Sequence, residues 1–148
     1  MQKNKTNLII IFPKFILGGA SNSVFKLINF LDHKKFNINI LCLKRCDYKQ
    51  KFNKKVNIFE LNKDKLSQVF FKILSICNNI SKSSSRNIIL SNHHYANVYS
   101  ILIKLIVKNI SILCVERTCI YELSHYYSFL DFLKKTILKF FVKNLYKF

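Results

Sequence analysis

Three short polar segments of this sequence carry the residue types that bind or orient ligands, and each one follows an apolar run. They are residues 17–21, 91–95 and 115–118. The first contains the two glycines of the chain, Gly18 and Gly19, followed by Ser21. Glycine lets a backbone approach a ligand closely, and exposed amides at a helix start favour a phosphate or a sugar hydroxyl group. A simple strand-to-helix turn explains the pair equally well, because its spacing fits neither the dinucleotide-binding pattern nor the P-loop.

The other two segments combine amide, imidazole and charged groups. Asn92, His93 and His94 come directly after an apolar run, and the adjacent histidines lack a third ligand nearby. We therefore expect no metal there, but hydrogen bonding to an acceptor molecule or capping of the next helix by Asn92. Glu116 beside Arg117 can orient hydroxyl groups and pair with phosphate oxygens, or form a surface ion pair. No residue is assigned a catalytic role.

These segments need a scaffold, and the alternation of apolar runs with helical periodicity predicts one. Strands are expected at residues 7–12, 36–43, 56–61, 88–91 and 110–115. The first helix has the apolar stripe Ala20, Val24, Leu27, Ile28 and Leu31; the second runs over residues 66–80 and the third over residues 95–107. The order βαββαβαβ predicts an α/β domain with a parallel sheet. The three polar segments then follow parallel strands, so we expect them on one rim.

Composition predicts a single folded domain over residues 1–148 with an attraction for anions. Hydrophobic residues make up 50% of the chain, which is enough to form a core. Lys and Arg total 25 against 7 Asp and Glu, and the resulting net charge of +18 favours phosphates, nucleic acid or anionic lipid. These basic residues are spread along the sequence. Part of the charge is also explained by an AT-rich codon bias.

The cysteines and the first residues bear on the compartment. The 5 cysteines are an odd number without the spacing of a zinc site or a disulfide framework, which indicates a reducing cytoplasm. Lys3 and Lys5 precede an apolar run as in a signal peptide, but Pro13 interrupts the run early, so a buried strand is favoured. No apolar run reaches the length of about 18 residues that a membrane span needs.

A lysine-rich helix is predicted at the end of the sequence. Ser128 and Asp131 have the spacing of a capping box. The helix that follows is crowded with basic residues, among them Lys134, Lys135, Lys139 and Lys143. We expect them to contact an anionic membrane surface or to form a solvated helix face. The sequence stops inside this helix without a capping glycine, which predicts a truncated domain or one that a separate chain completes.

Taken in order, the polar segments resemble those of the amino-terminal domain of bacterial family-four glycosyltransferases of the GT-B architecture. The resemblance covers essentially the whole chain and rests on IIFPKFILGGASNSVFKLINFL, LSNHHYANV and ILCVERTCIYELS. It implies a Rossmann-like parallel sheet with helices on both faces. It also implies that Gly18 and Gly19 lie against the donor diphosphate and the acceptor. Family members often continue Gly-Gly-Ala with Glu and Arg, where this chain has Ser21 and Asn22.

The remaining site residues and the reaction follow from the same resemblance. It implies that Asn92, His93, His94, Glu116 and Arg117 face the acceptor. The expected function is the acceptor-binding half of a retaining transferase for surface polysaccharide or glycolipid, with a nucleotide-sugar as co-substrate and no cofactor or metal. The donor domain with its paired glutamates is missing from the sequence, so this chain alone should be inactive.

Partners and location are expectations of the same kind. They are a lipid-linked or sugar acceptor, a separate donor-domain chain, and the inner face of the cell membrane. The alternative is a basic α/β module that binds nucleic acid or an anionic membrane.

Overall fold

The computed structural model describes residues 5–12, 15, 18–44, 46–63, 68–115, 129, 132, 133, 135–137, 139 and 140. The elements follow the predicted order: β1 (Thr6–Phe12), α1 (Gly19–Phe30), β2 (Phe36–Cys42), a 3₁₀ turn (Lys49–Lys51), β3 (Asn57–Glu60), α2 (Phe70–Ser81), β4 (Asn87–Asn92), α3 (His94–Ile106) and β5 (Ser111–Val115). Lys135 and Lys139 are in helical conformation, whereas Ser128, Asp131, Lys134 and Lys143 lie outside the described residues.

The strands form one parallel sheet in the order β3-β2-β1-β4-β5. β1 lies in the middle, and its residues Ile9 and Ile10 are fully buried. Because side chains alternate along a strand, Ile10 packs in the core that includes Val24 and Ile28 of α1. Ile9 packs in the opposite core with side chains of α2 and α3. Helices cover both faces, so the predicted Rossmann-like α/β fold is confirmed.

The buried face of α1 differs from the predicted stripe. Ser21, Val24 and Ile28 are buried, whereas Ala20 is exposed and Leu27 keeps 40% of its surface exposed. At 3.6 residues per turn, Leu27 lies roughly 90° around the helix from the centre of that buried line. The prediction holds for Val24, Ile28 and Leu31, which pack in or against the core, and is wrong for Ala20 and Leu27, because it followed hydrophobicity alone. Every helix among the described residues is too short or too polar to span a bilayer.

Asparagines at the starts of neighbouring strands form a hydrogen-bonded ladder. Asn7 of β1 is in register with Asn37 of β2 and with Asn87 of β4. The Asn37 amide donates to Asn7 Oδ1 at 2.9 Å, and the Asn7 amide donates to Asn87 Oδ1 at 2.8 Å. The Asn87 amide nitrogen lies 3.1, 3.1 and 3.0 Å from the carbonyl oxygens of Ser81, Ser84 and Asn109. The ladder therefore ties the loops that enter β4 and β5 to the sheet.

Replacing Asn87 with alanine tests the ladder. We expect Asn87→Ala to lower the free energy of unfolding by about 3 kcal/mol, because the carbonyl oxygens of Ser81, Ser84 and Asn109 lose a hydrogen-bond donor worth about 1–3 kcal/mol each. Asn29→Ala, at an exposed position of α1, is the matched control and should change it by no more than about 0.5 kcal/mol. Urea unfolding measures both. Equal effects of the two substitutions would contradict a stabilising ladder.

Candidate functional site

The strand order reverses direction between the neighbouring strands β1 and β4. These two strands are neighbours, but the helices that follow them, α1 and α3, pack in opposite cores. The chain therefore leaves the sheet in opposite directions on the two sides of this point. Ligands of parallel α/β sheets bind in the crevice that such a divergence opens. This edge is the candidate site.

Phe15, between β1 and α1, packs into the core. It is fully buried and forms a bridge with Cys46, and its carbonyl oxygen accepts the Asp47 N–H at 3.0 Å. Its ring lies 5.4 Å from that of Tyr48 and 5.5 Å from that of Phe52, both in edge-on arrangements. Such aromatic pairs add about 0.5–1.5 kcal/mol beyond the burial of their surface. These contacts hold Phe15 itself in the core.

Gly18 and Gly19 form an open start to α1. Gly18 is extended, with φ 168° and ψ 165°, and its carbonyl accepts the Asn22 N–H at 2.9 Å. A Cβ placed on either glycine would meet no atom within 4 Å, so neither conformation nor space requires glycine here. Gly18 at the cap position supplies no side-chain capping bond, so the first-turn amides lack that partner. Ser21 is buried, so its hydroxyl group faces the core rather than the edge.

Asn92, the last residue of β4, has the most informative side chain of this edge. It is 3% exposed, and neither its amide nitrogen nor its carbonyl oxygen has a hydrogen-bond partner among the described residues. Its neighbour Ser91 bonds to α3, so strand alternation places Asn92 on the opposite face, which α1 covers. A buried unpaired amide is costly, and such groups are rare in native proteins. Asn92 therefore has the properties of a group kept for a ligand.

The predicted capping of α3 by Asn92 is wrong. The cap position belongs to His93, and no side chain makes a capping bond there. His93 has φ 103° and ψ 140°, in a region that favours glycine, and this sharp turn carries the carboxamide of Asn92 away from the helix start. The ring of His93 stacks on Tyr95 at 6.0 Å. His94 is the first residue of α3.

Sequence reasoning missed a buried polar pair beneath this turn. Ser91 and Asn97 are almost fully buried, and the Ser91 hydroxyl group donates to Asn97 Oδ1 at 2.7 Å. The Asn97 amide donates to the carbonyl oxygen of Val115 at 3.4 Å, which links α3 to β5. The sequence did contain a sign of this pair, because Ser91 and Asn97 are polar residues within otherwise apolar segments. Their role is to position the turn that holds Asn92.

A second cluster at the carboxyl ends of β2 and β3 was also missed. The Glu60 carboxylate accepts the backbone N–H of Cys46 at 2.9 Å and pairs with Lys49 Nζ at 2.7 Å. The pair raises the pKa of Lys49. The thiol of Cys42 hydrogen-bonds to Cys46, which raises the pKa of Cys42 and lowers that of Cys46. Both sulfur atoms are buried, so the cluster holds the loop in place rather than presenting a nucleophile.

The topology brings part of the predicted site together. Gly18, Asn92 and His93 share the carboxyl edge of the sheet, next to the end of β5. Glu116 and Arg117 follow β5 and lie outside the described residues. Where the chain is described, His, Cys, Asp and Glu nowhere gather as a set of three that could hold a metal ion.

The fold defines a Rossmann-like α/β domain whose strand order switches direction between β1 and β4. No model of a known protein family matches the sequence, and a search of curated proteins finds no match.

The backbone of His93 gives a stability test of this turn. A residue with a side chain at such a φ carries about 1–3 kcal/mol of strain, which glycine relieves at an entropic cost of about 0.4–1 kcal/mol. We therefore expect the free energy of unfolding of His93→Gly to be about 1 kcal/mol higher than that of His93→Ala. Both variants lack the imidazole, so the comparison isolates the backbone. Thermal unfolding checks it, and a more stable alanine variant would rule out strain.

Proposed function

We propose that this chain is the acceptor-binding half of a retaining glycosyltransferase that uses a nucleotide-sugar as co-substrate. The observation that carries the proposal is the buried Asn92 carboxamide without a partner among the described residues. A carboxamide offers hydrogen-bond donors and an acceptor side by side. A sugar hydroxyl group is likewise both donor and acceptor, so a saccharide satisfies both ends of Asn92. A purely anionic ligand would satisfy only the amide nitrogen.

The open start of α1 supplies the complementary chemistry on the same face. Amides of its first turn attract anionic oxygens, which suits a sugar phosphate or the diphosphate of a nucleotide-sugar. Asn92 and α1 together therefore favour a ligand that joins a saccharide to a phosphate. The resemblance of the three polar segments assigns the same roles, with Gly18 and Gly19 near the diphosphate. It puts His93, His94, Glu116 and Arg117 near the acceptor.

The reaction itself belongs to the complete enzyme. In this proposal a donor-binding domain with paired glutamates, on another chain or further along the same one, holds the nucleotide-sugar. The present residues bind and orient the acceptor, and none of them is assigned the chemical step. The product is a surface polysaccharide or glycolipid made at the inner face of the membrane. Lys134, Lys135, Lys139 and Lys143 then contact that membrane.

Asn92→Leu provides the first test, because function and stability should move in opposite directions. Leucine removes a buried unpaired amide at similar volume, so we expect the free energy of unfolding to rise by about 1–3 kcal/mol. Asn97→Leu is the matched control, since Asn97 is equally buried but hydrogen-bonded, and it should lower stability by a similar amount. Urea unfolding measures both. A loss of stability in Asn92→Leu would show that the carboxamide serves the fold.

Ligand titration provides the second test. We expect nucleotide-sugars or short oligosaccharides to shift the amide NMR signals of Gly18, Gly19, Asn92 and His93. Asn92→Leu should weaken oligosaccharide binding about tenfold or more, because a lost bond within a saccharide site costs about 1.4 kcal/mol or more. Asn29→Ala, far from this edge, should bind normally. Saccharides that leave these signals unchanged at millimolar concentration would end the proposal.

A further inference from the structure

Basic residues that are far apart in the sequence lie together at one edge of the parallel sheet. Segments that enter a strand all lie at the amino edge of the sheet, opposite the candidate site. The basic residues of these segments, with the last turn of α3, are Lys5, Lys34, Lys35, Lys54, Lys55, Lys82, Arg86, Lys104 and Lys108. Among the described residues, Asp32 is the acid found in the same segments. The amino edge is therefore a strongly cationic surface.

A cavity opens in this edge at the starts of β1, β2, β4 and β5. Its volume is about 430 Å³, and its cationic lining residues are Arg86, Lys104 and Lys108. The described lining contains no carboxylate, while the hydroxyl groups of Ser85 and Ser111 add hydrogen-bond donors. Cationic and hydroxyl side chains that line one cavity can bind the oxygens of a phosphate group.

Apolar side chains project from the same edge and identify the kind of partner. Phe30, the last residue of α1, is 90% exposed. Leu105 and Ile106, at the end of α3, are 73% and 58% exposed. Large apolar groups among lysines are typical of surfaces that enter the headgroup region of a membrane. A single-stranded nucleic acid would instead need a series of aromatic rings on which successive bases stack. Of the three exposed apolar residues named here, Phe30 is aromatic, whereas Leu105 and Ile106 are aliphatic.

We propose that the amino edge of the sheet docks on an anionic phospholipid membrane, with lipid phosphate groups held in the cavity by Arg86, Lys104 and Lys108. Leu105, Ile106 and Phe30 enter the headgroup layer beside it. This surface is separate from the lysine-rich segment near the end of the chain. The inference does not rest on the proposed transferase, since it uses the charge and shape of the opposite edge.

Two variants of equal net charge test the docking surface. The first is Arg86→Ser/Lys104→Ser/Lys108→Ser; the control is Lys26→Ser/Lys63→Ser/Lys72→Ser, which removes three exposed lysines elsewhere. Full-length proteins are sedimented with vesicles of phosphatidylcholine alone and of phosphatidylcholine mixed with phosphatidylglycerol. We expect native protein to bind the mixed vesicles only. The edge variant should lose about 100-fold in binding at low salt, and the control should lose little.

A further pair of measurements separates the alternatives. Leu105→Ser/Ile106→Ser should weaken binding to the mixed vesicles even at high salt, where the contribution of charge is screened. Thermal unfolding verifies that every variant folds like the native chain. Equal losses in the edge and control variants would overturn the proposal, because the attraction would then be delocalised. RNA that displaces the chain from vesicles and depends on Arg86, Lys104 and Lys108 would also overturn it.

Discussion

The burial of β1 on both faces is the constraint on which the rest of the molecule depends. Ile9 and Ile10 are fully enclosed, and each packs in a different core. A strand covered on both sides needs helices above and below it, and a parallel sheet supplies them through its crossovers. The same parallel pairing sends every strand exit to one edge and every strand entry to the other. Two chemically different surfaces thus follow from one packing requirement.

Two asparagines at opposite ends of β4 differ in their hydrogen-bond partners. Asn87, at the entry of the strand, has its carboxamide saturated by Asn7 and by carbonyl groups of adjoining loops. Asn92, at the exit of the same strand, is just as buried and has no partner among the described residues. Residue type and burial are the same at both positions. The difference lies in the neighbours: the fold pairs the carboxamide of Asn87, whereas that of Asn92 is the group that we propose binds a ligand.

The fold could be predicted well from the sequence because strands that are buried on both faces appear in it as continuous apolar runs. It predicted less about the site, for reasons that particular residues make plain. The turn at His93 depends on a backbone conformation that histidine rarely adopts, so the sequence could not decide between the two roles expected of Asn92, and the capping role was wrong. Burial of Ser21 depends on how closely α1 approaches the sheet. Arg86 and Lys34 are far apart in the sequence, and only the strand order brings them to one edge.

The two proposed surfaces constrain each other through the length of the strands. β1 has 7 residues, and at about 3.3 Å per residue it separates the amino and carboxyl edges by roughly 20 Å. A domain docked on a membrane by its amino edge would hold Asn92 at about that height above the headgroups. A monosaccharide attached directly to a lipid would not reach it. The two proposals together therefore favour an acceptor whose saccharide is several residues long, because such a chain extends from the membrane to the opposite edge of the sheet.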